Sequence, residues 1–258
     1  MSRHAVILAG GKGSRLGPYT TVLPKPLMPL GDRAILDIVV RQLRDNGFGP
    51  LTIAVGYLAH IIRAVLGDGD SHGVEIRYHV EEQPLGTAGP FATIEGLDDS
   101  SFLAMNGDIL TTLDYAAFFE EHERSGNAMT IATHTRTVRT DYGVLHVDGS
   151  AGGAILPVHG YDEKPEVAYT VSMGVYALAP VVMEHIPEGR FDIPDLVLAL
   201  IAAGLPVGAY PFDGYWLDIG RHDDYEQALQ DYEDILPRLL RQEELPFSPT
   251  GPEAEGAD

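Results

Sequence analysis

Between Gly10 and Pro29 the sequence reads GGKGSRLGPYTTVLPKPLMP, directly after the apolar run AVILA, and this segment holds two of the chain's three lysines. Glycines at 10, 11, 13 and 17 let a backbone turn tightly and aim several N–H groups at one anion. Lys12, Arg15 and Lys25 supply positive charge, and the Ser14 hydroxyl can donate to a phosphate oxygen. The combination reads as a cradle for a polyphosphate. Two familiar phosphate patterns are excluded: a dinucleotide fingerprint needs glycine where Leu16 stands, and a P-loop needs Ser or Thr where Gly13 follows Lys12. A plain surface turn would explain the glycines but not the Pro-Lys-Pro downstream.

Two acids are candidates to complement this loop. Asp108 ends Asn106-Gly107-Asp108 after the buried-looking run SFLAM, and Asp218 sits between apolar residues in GYWLDIG. Each alone could be a capping or turn aspartate. Brought together over the basic loop, they would suit Mg2+, which takes one or two carboxylates and fills its shell with phosphate and water. The segment EEQPLGTAGP places Gly86-Thr87-Ala88-Gly89 between a strand and a helix, where small residues would let a flat base lie against the main chain, or simply form a connection. Lys164, in YDEKP, could hold a second anionic group or be a solvated surface lysine. The ten histidines form no HExxH or other close metal-binding pair, and His122 and His222 have sufficient helical or capping roles.

The elements that must position these residues alternate. Strand-like runs at Ala5–Ala9, 51–55, 74–78, 102–105 and 128–133 are separated by helical patterns, such as Ile35, Ile38, Val39 and Leu43, or Ile61, Ile62, Val65 and Leu66. That order predicts a parallel α/β sheet. Pro90 opens a helix running toward Gly96, and Asp114 caps one over 115–124. After Asn127 the sequence turns strand-rich (144–147, 154–158, 168–178), which predicts a small β insertion at about 136–178. Helices follow at 181–185 and 193–203, then a strand at 206–211 and a terminal helix at 223–240 broken at Pro237. Residues 1–240 are read as one domain. The acidic, Pro-rich stretch 241–258 has no apolar period and is expected to be disordered.

Composition narrows the partners. Lys plus Arg number 17 against 38 Asp plus Glu, a formal charge of -21, which disfavours nucleic acid and anionic lipid. An anionic ligand therefore needs a local basic pocket or a divalent cation. Fourteen of the bases are arginine, so the three lysines mark places where a compact ammonium on a flexible stem is wanted. There are no cysteines, and the apolar start His4 to Ala9 is too short for a signal sequence or membrane span. The expectation is a cytoplasmic protein with no membrane partner, its oligomeric state open to a homo-oligomer.

Taken in order, AVILAGGKGSRLGPYTTVLPKPLMPL, EEQPLGTAGP, NGD, DYGV, DEKP and GYWLDIG resemble the sugar-1-phosphate nucleotidyltransferases over roughly Ala5 to Leu229. The resemblance implies a Rossmann-like three-layer α/β sandwich with a mainly parallel mixed central sheet and a small β-rich sugar-side insertion. It also implies Mg2+-dependent transfer of a nucleoside monophosphate from a nucleoside triphosphate to a sugar 1-phosphate, releasing pyrophosphate. By this likeness Gly10, Gly11 and Gly86 border the base, with Leu8, Ala9, Gly13, Ser14, Pro84, Thr87 and Ala88 completing the nucleotide side. Arg15 and Lys25 hold phosphates, and Asp108 and Asp218 hold the metal. Asn106, Gly107, Gly143, Glu163, Lys164 and Ser172 form the sugar-phosphate side, and Arg15, Lys25, Asp108 and Lys164 carry the catalysis.

PKPL and PLGTAG are closer to mannose- or heptose-1-phosphate guanylyltransferases than to thymidylyltransferases, which carry a KQ pair after the loop. GTP is therefore the favoured donor, with dTTP, UTP, ATP or CTP as the alternatives. Where many guanylyl-transferring members have Asn-Ala-Gly-Ile-Tyr, this chain has Ser172-Met173-Gly174-Val175-Tyr176, a change expected beside the sugar. That leaves mannose, heptose, a glucose-type sugar or a cyclitol as the acceptor. No β-helical repeat is present, so a bifunctional enzyme is not expected. A non-catalytic nucleotide-sugar sensor is the alternative, against which the retention of both aspartates argues.

Overall fold

A computed structural model describes residues 3–148 and 155–240. Strand β1 (Arg3–Ala9) shows how the sequence makes a two-sided sheet. Ala5, Ile7 and Ala9 point into one buried cluster, while Val6 and Leu8 pack into another on the opposite face. Such near-continuous apolar strands are what a sheet covered on both sides requires.

A short hairpin follows, β2 (Pro29–Leu30) and β3 (Arg33–Ala34), then α1 (Ile35–Asp45), β4 (Phe48–Val55), α2 (Ala59–Leu66) and β5 (Ile76–Val80). Next come β6 (Phe102–Asn106), β7 (Ile109–Thr111), α3 (Tyr115–Ser125) and β8 (Met129–Arg139). The remainder is β9 (Val144–Val147), β10 (Val158–Asp162), β11 (Glu166–Leu178), α4 (Ile193–Ala202), β12 (Val207–Pro211), β13 (Trp216–Asp218) and α5 (His222–Leu239). The main sheet has seven strands in the order β12-β8-β11-β6-β1-β4-β5. Neighbours are parallel except at β11, which runs antiparallel to both β6 and β8. Helices α1, α2 and α3 cover one face through Leu36, Val39, Ile62 and Phe118; Phe91, Val182 and α4 cover the other. The result is the Rossmann-like three-layer sandwich with a mainly parallel mixed sheet.

A third buried cluster joins α5 to β13 and to Leu16 and Met28 of the glycine-rich segment. One polar network also ties the first layer together: Asp37 of α1 accepts from Arg33, Arg41 and the His72 ring at 3.1, 3.0 and 2.8 Å.

Several local expectations change. The segments after Gly89 and Pro180 form short 3-10 turns, Gly89–Thr93 and Pro180–His185, rather than α-helices. Pro237 does not break α5, because Leu236 and Leu239 anchor the helix in the third cluster while Pro237 faces solvent. The helix begins at His222, where the Asp224 carboxylate accepts from the Gly220 and Arg221 amides at 3.1 and 2.8 Å. Asp114 does cap α3, accepting from the Ala117 amide at 2.8 Å. The strand expected at 154–158 stands instead at Val158–Asp162; Ala154 and the acidic 241–258 stretch lie outside the described residues. The outer halves of β8 and β11 pair with each other beyond the main sheet, and β9 and β10 form a separate antiparallel pair. Among the described residues no helix is long and apolar enough to cross a membrane.

Candidate active site

From β1 the chain moves to β4 on one side, and later to β6 on the other. The carboxyl ends of β1 and β6 therefore flank the point where strand order reverses, where open α/β sheets leave a crevice for ligands. The glycine-rich segment leaves β1 there, and Asn106-Gly107-Asp108 leaves β6. Gly107 knits the two together: its N–H donates to Leu8 O at 3.0 Å, and a side chain on it would press on Ile7 and Leu8.

The basic segment is held from several directions. Gly13 has φ +59, and an added Cβ would lie 3.0 Å from both Thr20 and Lys25, so the turn is both left-handed and full. Leu16 is completely buried, leaving Arg15 turned outward. Gly17 O bonds the His222 ring at 2.9 Å, Thr21 O accepts from the Tyr57 hydroxyl at 2.9 Å, and Pro29 O accepts from Tyr225 at 2.5 Å.

Two adjoining cavities open at this edge. One, of about 280 Å³, is lined by Leu8, Ala9, Gly11, Gly13, Ser14, Arg15, Lys25, Pro26 and Asp108. The other, of about 320 Å³, is lined by Leu8, Gly10, Gly11, Glu81, Pro84, Gly86, Thr87, Asn106 and Asp108. Leu8, Gly11 and Asp108 belong to both, so the cavities form one continuous cleft.

Glu81 and Pro26 were not singled out from sequence. Glu81 opens an ordinary-looking acidic pair, and its placement depends on a contact within its own loop and on Gly10 from the neighbouring segment. One carboxylate oxygen accepts from the Leu85 amide at 2.8 Å, and the other would be 2.9 Å from a Cβ on Gly10. The Gly86–Gly89 turn is held from behind: Thr87 N donates to Asp192 at 3.0 Å, and Ala88 N and Gly89 N both donate to Phe191 O at 2.9 Å. Ala88 is fully buried and lines neither cavity. The amides of Thr87, Ala88 and Gly89 are thus already bonded, and the Glu81 carboxylate is a charged group on the wall that Gly86 and Thr87 also line.

The charged centre is assembled by backbone pairing. Strands β13 and β7 pair with Asp218 opposite Ile109, and Ile219 N donates to Asp108 O at 3.2 Å, which brings both aspartates to one place. Lys25, only 8% exposed, forms an ion pair with Asp108 Oδ2 and stands 4.0 Å from Asp218 Oδ1. The Arg15 guanidinium lies 3.6 Å from where a Cβ on Gly220 would be, two residues past Asp218, and its charge acts on that carboxylate. Burial raises the Asp218 pKa, Asp108 and Asp224 add to the rise, and Lys25 and Arg15 oppose it. Asp108 Oδ1 is buried without a hydrogen-bond partner. Two converging carboxylates with one oxygen to spare fit a hard divalent cation. Among the described residues no group of three or more His, Cys, Asp or Glu is placed to hold a metal, so its other positions would fall to phosphate and water.

The residues expected on the acceptor side lie off these cavity walls, except Asn106. Gly143, Glu163 and Lys164 are exposed around β9 and β10. A side chain on Gly143 would collide with the Tyr161 hydroxyl, which donates to Glu163 at 2.7 Å, and Lys164 has φ +48. Ser172 begins a bulge in β11, where its hydroxyl donates to Tyr176 at 3.1 Å and accepts from Gly174 N at 3.2 Å. Gly174, at φ +74, abuts Asn106. Met173, expected beside the sugar, is instead buried in the first core cluster, and its carbonyl accepts from the Trp216 indole at 3.0 Å.

A nucleotidyl transferase family model matches residues 4–235. A UTP–glucose-1-phosphate uridylyltransferase of Synechocystis sp. is 33% identical over 94% of this chain and 66% of its own length. A mannose-1-phosphate guanyltransferase of Yarrowia lipolytica is 30% identical over 85% of this chain and 61% of its own length. The chain thus spans less than two thirds of these curated relatives. Among solved structures, HddC from Yersinia pseudotuberculosis is 25% identical with a TM-score of 0.68, covering 89% of this chain and 99% of that one. A putative glucose-1-phosphate thymidylyltransferase from Bacillus anthracis has the same fold, with a TM-score of 0.72 at 23% identity over 91% of this chain and 96% of its own. Sequence and fold together place the chain in the nucleotidyl transferase family, alongside the sugar-1-phosphate nucleotidyltransferases.

Proposed function

We propose that this chain transfers a nucleoside monophosphate from a nucleoside triphosphate to a sugar 1-phosphate, releasing pyrophosphate. The observation that carries the reading is the meeting of Arg15, Lys25, Asp108 and Asp218 at one cleft edge. A phosphate oxygen of the acceptor would attack the α-phosphorus in line while pyrophosphate leaves opposite. Repulsion between two anions is the obstacle, so positioning and charge neutralisation should supply most of the rate, with no covalent intermediate and no general base. Arg15 and Lys25 neutralise triphosphate charge, and the Gly11–Ser14 backbone fixes its path. Asp108 and Asp218 would hold Mg2+, which when bound supplies further charge on the phosphate oxygens. Lys164 orients the acceptor phosphate.

GTP is the favoured donor because Glu81 puts a carboxylate on the cavity wall. Guanine offers that group two adjacent donors, N1–H and the exocyclic amine, whereas uracil and thymine offer one. The guanyltransferase relatives support a mannose-like acceptor. The uridylyltransferase relative favours a second pairing, UTP with glucose 1-phosphate. A pyrophosphate-release screen of five nucleoside triphosphates against a panel of sugar 1-phosphates tests the proposal. Release from GTP with mannose 1-phosphate or a heptose 1-phosphate is expected; release only from another triphosphate defeats the guanylyl part, and no release with any pair defeats the whole.

A further inference from the structure

The ammonium of Lys25 stands where the proposed reaction needs a divalent cation. Lys25 pairs with Asp108 and faces Asp218 across 4.0 Å. A buried ammonium needs a counter-charge, and these two carboxylates are the ones within ion-pair reach of it among the described residues. The same two carboxylates converge on one place and repel each other, so the pair calls for a cation between them. Lys25 satisfies that need internally.

We propose that Lys25 acts as a tethered counter-cation that keeps divalent metal out of the Asp108–Asp218 pair until a nucleoside triphosphate draws its ammonium away. Metal loading is then conditional on nucleotide. This rests on the reaction proposed above and adds an order of events to it. A divalent ion entering beside an unmoved Lys25 would crowd three positive charges against two negative ones in a half-buried space. The triphosphate removes the conflict, since its oxygens offer Lys25 another partner on the adjoining wall. Only the side chain has to move. The Lys25 backbone opens a 3-10 turn between Pro24 and Pro26, and its Cβ lies against the full turn at Gly13. Four methylenes give the ammonium its reach. Lys12, exposed and without an ion pair to either aspartate, has no such part.

Mn2+ binding to nucleotide-free protein, followed by electron paramagnetic resonance, tests this. Lys25→Met should bind Mn2+ at least ~10-fold more tightly than wild type, while Lys25→Arg, which keeps the charge, should not. The proposal fails if Lys25→Met binds no tighter, or if Lys25→Arg gains as much. Should the methionine variant not fold, the wild type decides the matter, because 13Cε labelling of only three lysines gives an assignable spectrum. Millimolar Mg2+ alone should leave the Lys25 resonance in place, and GTP with EDTA should shift it. A saturable shift on Mg2+ alone would overturn the proposal. Neither arm reads turnover, so a protein that passes both yet releases no pyrophosphate loses only the reaction.

Discussion

The glycine-rich loop at the cleft and the strand-rich region proposed to meet the acceptor are built differently. On the donor side, Leu16 is wholly buried, Lys25 nearly so, and helix α5 and Tyr57 hold the loop backbone at three carbonyls. On the proposed acceptor side, β9, β10 and the outer halves of β8 and β11 expose almost every residue, with Tyr161 of β10 at 59% and Tyr142, between β8 and β9, at 79%. Side chains locked by packing can hold reacting groups in place before a substrate arrives. On the proposed reading the donor loop backbone is thus preformed, with only the Lys25 ammonium left to move, whereas the acceptor would meet groups that stand in water. The donor side should govern rate and the acceptor side affinity.

The largest expected effect lies at the donor centre. Asp108→Asn should lower kcat at least ~100-fold, the scale of removing a preorganised electrostatic partner. Near-normal turnover in a folded variant would remove Asp108 from the chemistry. Next comes the scaffold beneath that side. Burial alone would raise the Asp37 pKa, but hydrogen bonds from His72, Arg41 and Arg33 hold it far below the ordinary aspartate range. Because the folded value lies below the unfolded one near ~3.9, this contribution is present above about pH 4 and lost as pH falls further. Asp37→Asn should cost about 2 kcal/mol in urea unfolding at pH 7 and less at pH 3. An equal cost at both pH values would show that charge is not its source.

On the acceptor side, Lys164→Met should raise KM for the sugar 1-phosphate ~10-fold while leaving KM for GTP and Tm unchanged, as expected for an exposed charge that meets only one substrate. A kcat loss as large as that of Asp108→Asn would erase the contrast between the two sides. The smallest effect is at the base. Glu81→Gln should reduce the preference for GTP over UTP roughly 5-fold, since one acceptor oxygen remains. An unchanged ratio in kcat/KM would move base selection elsewhere.

The anchored side was also the readable one. Gly10, Gly13, Arg15 and Lys25 lie within one short segment, and their residue types announce a phosphate loop without reference to the rest of the chain. The alternating apolar runs disclosed the sheet because each strand must serve two covered faces. Where reading failed, the deciding feature was a local geometry or a tertiary contact that residue type alone does not announce. Pro237 reads as a helix breaker until the apolar anchors on either side of it are seen in the third cluster. Met173 reads as a cleft residue until the β11 bulge turns it into the core. Glu81 gains its place from Leu85 and Gly10, and nothing in EEQP distinguishes it from its neighbour.

The central claim is that the cleft joins a nucleoside monophosphate to a sugar phosphate. Incubating the protein with GTP labelled at the α-phosphate, mannose 1-phosphate or a heptose 1-phosphate, and Mg2+ tests it most directly. The account predicts that label enters a nucleotide sugar in step with pyrophosphate release, and that Asp108→Asn abolishes both. Label released as free GMP, or a wild-type yield no greater than that of Asp108→Asn, would contradict it.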